Sequence, residues 1–76
     1  MNRTPLEELG IRIRARRKEL GWTQEELAAN AGLDRSYVGG IERGERNITF
    51  TVLCEISSSF GWDVAKLTYG LPETCE

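Results

Sequence analysis

Seventy-six residues, 39% hydrophobic and 29% charged, make one small domain with little apolar area to spare for a large core. Two cysteines and no histidine give no metal-ligand spacing, no paired nucleophile and base, and no sign of an enzyme; no phosphate-cradling glycine loop appears either. The net charge of −2 argues weakly against nucleic acid, but residues 1–46 hold nine of the ten basic groups beside eight acids, whereas residues 47–76 hold one base beside four acids, and local field decides affinity for phosphates.

Thr4-Pro5-Leu6-Glu7 starts a first helix over about 5–20, with a threonine cap, proline at the first helical position and glutamate three after the cap. Leu6, Leu9 and Ile13 form its inner stripe, Leu20 extends the packing, and Gly21 ends it. Arg12, Arg14, Arg16, Arg17 and Lys18 lie on its other faces, as a solvated charged surface or, for Arg14 or a neighbour, as a phosphate contact. Trp22 is placed to pack on Glu26 or beyond as the residue before the next cap, with a phosphate contact from its indole N–H as the alternative. Thr23 caps a second helix over 24–31, where Gln24 to Glu26 form the first turn, Leu27, Ala28 and Ala31 share a face, and Gly32 is the left-handed stop. Thr23, Gln24 and the free N–H groups of that first turn face where a phosphate would lie.

After a short turn holding Leu33, Asp34 caps a third helix over 35–43 with Val38 and Ile41 turned inward. Two short helices so joined, touching through small Ala28 and Ala31, cross steeply and present the N-terminal end of the second outward: a helix-turn-helix. Arg35 can donate to O6 and N7 of guanine, Ser36 can bond either base edge, and Tyr37 offers a ring to a thymine methyl or a hydroxyl to a phosphate; each could instead be a solvated surface residue. Gly39-Gly40 inside a helix costs about 2 kcal/mol relative to alanine, which calls for close backbone approach, to the sugar–phosphate wall or to an adjacent helix. Gly44 ends the helix, and Arg43, Arg46 and Asn47, with Thr49 capping the next helix, form a second phosphate clamp.

A fourth helix over about 50–60 has Phe50, Leu53, Ile56 and Phe60 as its inner stripe and Ser57-Ser58-Ser59 weakening its end. Asp63 caps a short fifth helix over about 64–69, stopped by Gly70 and Pro72. Trp62, Val64, Leu67, Tyr69 and Leu71 are more apolar surface than two helical turns need, so they close the core or form an interface with a second copy. Cys54 reads as a small core residue, Cys75 as exposed in a frayed tail over 73–76, and no disulfide is expected.

The segment Gln24 to Ile41, with Arg-Arg-Lys-Glu-Leu-Gly-Trp-Thr before it and Glu-Arg-Gly-Glu-Arg-Asn after it, closely resembles the Cro/repressor-type helix-turn-helix domains of bacteria and phages. The resemblance runs from about Leu9 to Leu67 and rests on Gln24, Leu27, Ala28, Gly32, Leu33, Val38, Ile41, Glu42 and Gly44; Leu33 to Asn47 looks most like the controller proteins of restriction–modification systems. It implies an all-α, compact five-helix, lambda-repressor-like domain, a homodimer, and a structural ion pair between Arg17 and Glu42. It also implies that a third base-reading side chain is missing at Gly40, leaving recognition to Arg35, Ser36, Tyr37 and partly to DNA shape. Tandem dimers that activate at one occupancy and repress at another belong to the same implication.

The resulting expectation is a single domain over 1–76, its core built from Leu9, Ile13, Leu27, Ala31, Leu33, Val38, Ile41, Leu53, Ile56 and Phe60. It binds double-stranded operator DNA as a homodimer and regulates transcription, with RNA polymerase as a further partner that activation would add. No membrane partner, metal, cofactor or small-molecule ligand is expected; without a long apolar run or a leader the chain is placed in the cytoplasm, with the nucleoid. The competing readings are an antitoxin or a phage-type repressor of the same fold, against which the shortness of the tail counts for the antitoxin, and a helical module that binds only protein.

Overall fold

Every helix begins at a residue whose side chain accepts from a backbone N–H that the helix itself cannot satisfy. In the computed structural model, which describes residues 3–72, these are α1 (Pro5–Glu19), α2 (Gln24–Ala31), α3 (Arg35–Glu42), α4 (Phe50–Ser59) and α5 (Val64–Thr68). Thr4 with Glu7 and Thr23 with Glu26 form reciprocal capping boxes, while Asp34, Thr49 and Asp63 accept from Ser36, Val52 and Lys66. No strand occurs among the described residues. Cys75 and the expected tail over 73–76 lie outside them.

Gly32 makes the tight turn between α2 and α3 possible. It sits at φ 70°, ψ 34°, the left-handed region that a side chain opposes, and behind it the Leu33 N–H returns to the Ala28 carbonyl at 2.8 Å. Leu33 then folds back onto the core from the turn. α1 packs on α3 and α5, α2 on α3 and α4, and α4 on α5. Gly10 is buried where α1 meets the last turn of α3, and the backbones touch there.

The core is Leu9, Ile13, Leu27, Ala28, Ala31, Val38, Ile41, Ile56, Phe60 and Leu67. Leu33 and Leu53, expected inside it, lie half-buried at its rim together with Leu20 and Trp22, and Cys54, expected as a small core residue, is only half-buried. Two other positions are decided by how far the neighbouring helices reach. Phe50, expected on the inner stripe of α4, is 69% exposed. It occupies the first turn, roughly a quarter-turn off the Ile56–Phe60 line, where no neighbouring helix reaches it. Of the two readings of Leu67, core closure or an intersubunit surface, the first holds: it is fully buried, because α5 is clamped between α1 and α4.

Arg12 and Arg16 supply that clamp and correct their reading as a solvated face. One helical turn apart, they point away from α3. Arg12 Nη1 donates to the carbonyls of Leu67 at 3.1 Å and Tyr69 at 2.7 Å, and Arg16 Nη2 donates to that of Phe60 at 3.0 Å. Both therefore satisfy carbonyls at helix C-terminal ends, where a cation is favoured. Arg16 also lies over the Trp62 ring, which packs edge-on to Phe60 at 5.7 Å, and Trp22 meets Phe60 from another side at 6.2 Å instead of stacking on Glu26.

Candidate nucleic-acid interface

α3 is divided along its length. Val38 to Glu42 are buried, whereas Arg35 and Ser36 at its N-terminal end are exposed and Tyr37 is half-exposed. The helix is thus fixed by its second half and presents its first turn. Arg35 takes part in none of the ion pairs among the described residues, so its planar fork of donors is available.

Beneath that turn lies a buried polar network. Arg17 grips the Glu42 carboxylate through Nε–Oε2 at 2.7 Å and Nη2–Oε1 at 2.9 Å, and Gln24 Nε2 donates to the same Oε1 at 3.0 Å. Arg17 Nη1 finishes on the Trp22 carbonyl at 2.9 Å. Hydrogen bonding to Glu42 holds the guanidinium in its charged form against the cost of burial and keeps its pKa raised. One carboxylate therefore joins the end of α1, the start of α2 and the end of α3. The Arg17–Glu42 pairing is as expected; the Gln24 bond was not, and it occupies one N–H of the side chain assigned to a phosphate. The other N–H and the amide oxygen remain, as do the free backbone donors at the start of α2.

The remaining phosphate candidates surround this edge. Arg14 is exposed on the α3 side of α1. Thr23 and Thr49 use a lone pair on their caps, from Glu26 and Val52, and keep a hydroxyl hydrogen to donate. Arg43 pairs with Glu45 at 3.0 Å, but both side chains are about 60% exposed, and such a pair is weak enough for a phosphate to displace. Asn47 is exposed in the loop.

Of the two close approaches expected at the Gly39-Gly40 pair, the one to an adjacent helix backbone is absent. No neighbouring helix backbone fills the space beside them; side chains do. A Cβ on Gly39 would stand 3.2 Å from Arg43 Nη1 and 3.6 Å from Gln24 Oε1, and one on Gly40 would stand 3.0 Å from Cγ and Nε of Arg46. Arg46 lies across Gly40 and brings its guanidinium to 5.5 Å from the centre of the Tyr37 ring. The position that lacks a side chain of its own is covered by a cation from the following loop, which joins Tyr37 and Arg46 into one surface feature.

Of the apolar set assigned to an interface, Leu67 is inside its own chain, Trp62 and Val64 are half-buried, Leu71 packs on the core rim, and Tyr69 is 81% exposed. No group of metal-ligating side chains occurs among the described residues, and none of their helices is long and apolar enough to cross a membrane.

A profile of the helix-turn-helix family matches residues 13–67, most of the chain. A relative from Sinorhizobium fredii described as an HTH-type transcriptional regulator is 38% identical over 58 residues, which covers 76% of this chain and 75% of the relative. The control protein C.SmaI of Serratia marcescens is 38% identical over 59 residues, 78% of this chain and 70% of its own. Among solved structures, the restriction-modification controller protein C.AhdI from Aeromonas hydrophila superposes with a TM-score of 0.79 at 40% identity, covering 82% of this chain and 94% of that one.

Proposed function

The chain belongs to the helix-turn-helix family, and from that premise we propose that it is a transcription regulator that reads a near-palindromic operator as a homodimer and controls a restriction–modification locus. The observation that carries this reading is the division of α3: a buried rear half anchored through Glu42, and a first turn that presents Arg35 and Ser36 unobstructed. That is what a major groove requires, since a helix fits it and the discriminating donors and acceptors lie along its floor.

Arg35, Ser36 and Tyr37 are the base readers. Arg14, Thr23, Gln24, Gly39, Arg43, Arg46, Asn47 and Thr49 make the phosphate contacts, Gly39 through its backbone. Two copies bring their α3 helices onto successive turns through the exposed Tyr69 with Trp62, Val64 and Leu71. The locus assignment is supported by the likeness to proteins described as controllers of restriction–modification systems, and with it go a cytoplasmic location at the nucleoid and a contact with RNA polymerase during activation.

Binding to the DNA upstream of its own gene, followed by fluorescence anisotropy across a salt series, tests this. Specific affinity falls steeply with salt, and Arg35→Ala loses at least about fivefold in preference for that site while weak general binding persists. Equal affinity for any duplex, or an Arg35→Ala variant that keeps its preference, removes the reading. An endonuclease or methyltransferase gene next to this one supports the locus assignment and a toxin gene there replaces it.

A further inference from the structure

Ser36 is the second residue of α3 and stands exposed beside Arg35. A serine hydroxyl has one hydrogen to give and two lone pairs to receive with. Here the hydrogen is already given: Ser36 Oγ donates to Oδ2 of Asp34, the oxygen that also accepts the Ser36 backbone N–H at 3.0 Å. The direction of that bond is set by chemistry. The bonds from Ser36 hold the Asp34 carboxyl below the usual aspartate range, and an ionised carboxylate can only accept. What Ser36 and Asp34 have left to offer a ligand is lone pairs.

We infer that Ser36, with its hydroxyl hydrogen held by Asp34, reads only bases that present an exocyclic amine, N4 of cytosine or N6 of adenine, and that Asp34 is the positioning residue that sets this preference. This rests on α3 being the groove-reading helix. The leading edge is then a donor, Arg35, beside an acceptor pair, Asp34 and Ser36. It takes guanine through O6 and N7 next to an amine-bearing base. Against a thymine O4 or a guanine O6 at the second position, acceptor faces acceptor with no hydrogen between them.

The probe is duplex DNA enriched from a randomised pool by the wild-type protein. The base pair assigned to Ser36 is the one whose preference Ser36→Ala flattens. At that pair, duplexes are made without the amine (purine for adenine, 2-pyrimidinone for cytosine) or without N7 (a 7-deazapurine). Loss of the amine weakens wild-type binding on the order of fivefold and loss of N7 does not, while Ser36→Ala is indifferent to both. Asp34→Gly keeps a residue that caps a helix nearly as well, but removes the oxygen that accepts from Ser36, releases the hydroxyl hydrogen and abolishes the dependence on the amine. A wild-type protein indifferent to the amine, one sensitive to N7 instead, no pair flattened by Ser36→Ala, or an amine dependence unchanged in Asp34→Gly overturns the inference alone. A pool from which nothing is enriched overturns the DNA-reading assignment and the inference with it.

Discussion

Gly10 lies against the backbone of Glu42 so closely that a methyl group on it would stand 2.6 Å from the Glu42 carbonyl oxygen and 2.5 Å from that of Ile41. α1 and α3 therefore meet backbone to backbone just where the Arg17–Glu42 bonds join them. Neither oxygen belongs to a side chain that can swing aside, so Gly10→Ala has to push the two helices apart. The strain exceeds the gain of about 1 kcal/mol in helix propensity, and a net loss of about 2 kcal/mol or more is expected in urea unfolding. An alanine variant as stable as wild type would show that α1 slides freely over α3.

The ion pair beneath the recognition helix makes a second prediction with an internal control. Glu42→Ala leaves the Arg17 guanidinium buried with no anion and Gln24 without its acceptor, at a cost of about 3–5 kcal/mol. Arg17→Met combined with Glu42→Leu removes both charges and recovers most of that loss, because apolar groups of similar volume replace a desolvated pair at little cost. Chemical denaturation of the two variants checks it; a double variant no more stable than Glu42→Ala would mean that the pair holds the helices by more than its own charges.

These two cases show where the sequence is legible. Starts and stops are local: Thr4 with Glu7, Asp34 and Gly32 each act within a few residues, and every helix ends within one residue of its expected bound. The helix-turn-helix and its leading Arg35 and Ser36 follow from that alone. The contacts of Gly10, Arg12 and Arg16 are not legible, because what they touch lies some 30 to 57 residues further on. The exposure of Phe50, and which of its two readings Leu67 takes, are hidden for the same reason. A period of 3.6 gives a face, but it does not say whether a neighbouring helix extends far enough to cover it. The cover over Gly40 was hidden likewise, since nothing in a Gly-Gly pair says that the missing side chain is supplied by Arg46.

Asp34 makes the start of α3 sensitive to acid. Its carboxyl is lowered first by the hydroxyl of Ser36 and then by the backbone N–H of the same residue. A carboxyl whose folded pKa lies below its unfolded one contributes stability above the unfolded value, near 4, and that contribution is lost as pH falls through the folded value. Asp34→Asn has no carboxyl to titrate and lacks this contribution. The difference in melting temperature between wild type and Asp34→Asn should hold steady from neutral pH down to about 4 and shrink below it. A difference that stays constant in strong acid would mean that the carboxylate is no better stabilised in the folded chain than in the unfolded one.

Gly40 offers a substitution in which stability and DNA binding part company. Alanine there gains about 1 kcal/mol in helix propensity. Its Cβ meets only the flexible stem of Arg46 at 3.0 Å, which can move aside without disturbing the core. Moving it takes the guanidinium off the Tyr37 ring, where it now lies at 5.5 Å, and so removes the cation that covers the middle of α3. Gly40→Ala should therefore melt at a higher temperature than wild type and bind its operator several-fold more weakly, with a shallower salt slope if Arg46 contacts a phosphate. Arg46→Ala serves as the comparison: adding it to Gly40→Ala should cost little further affinity, because the contact is already lost. A Gly40→Ala protein that binds as tightly as wild type would show that the perch of Arg46 on Gly40 and Tyr37 is incidental to recognition.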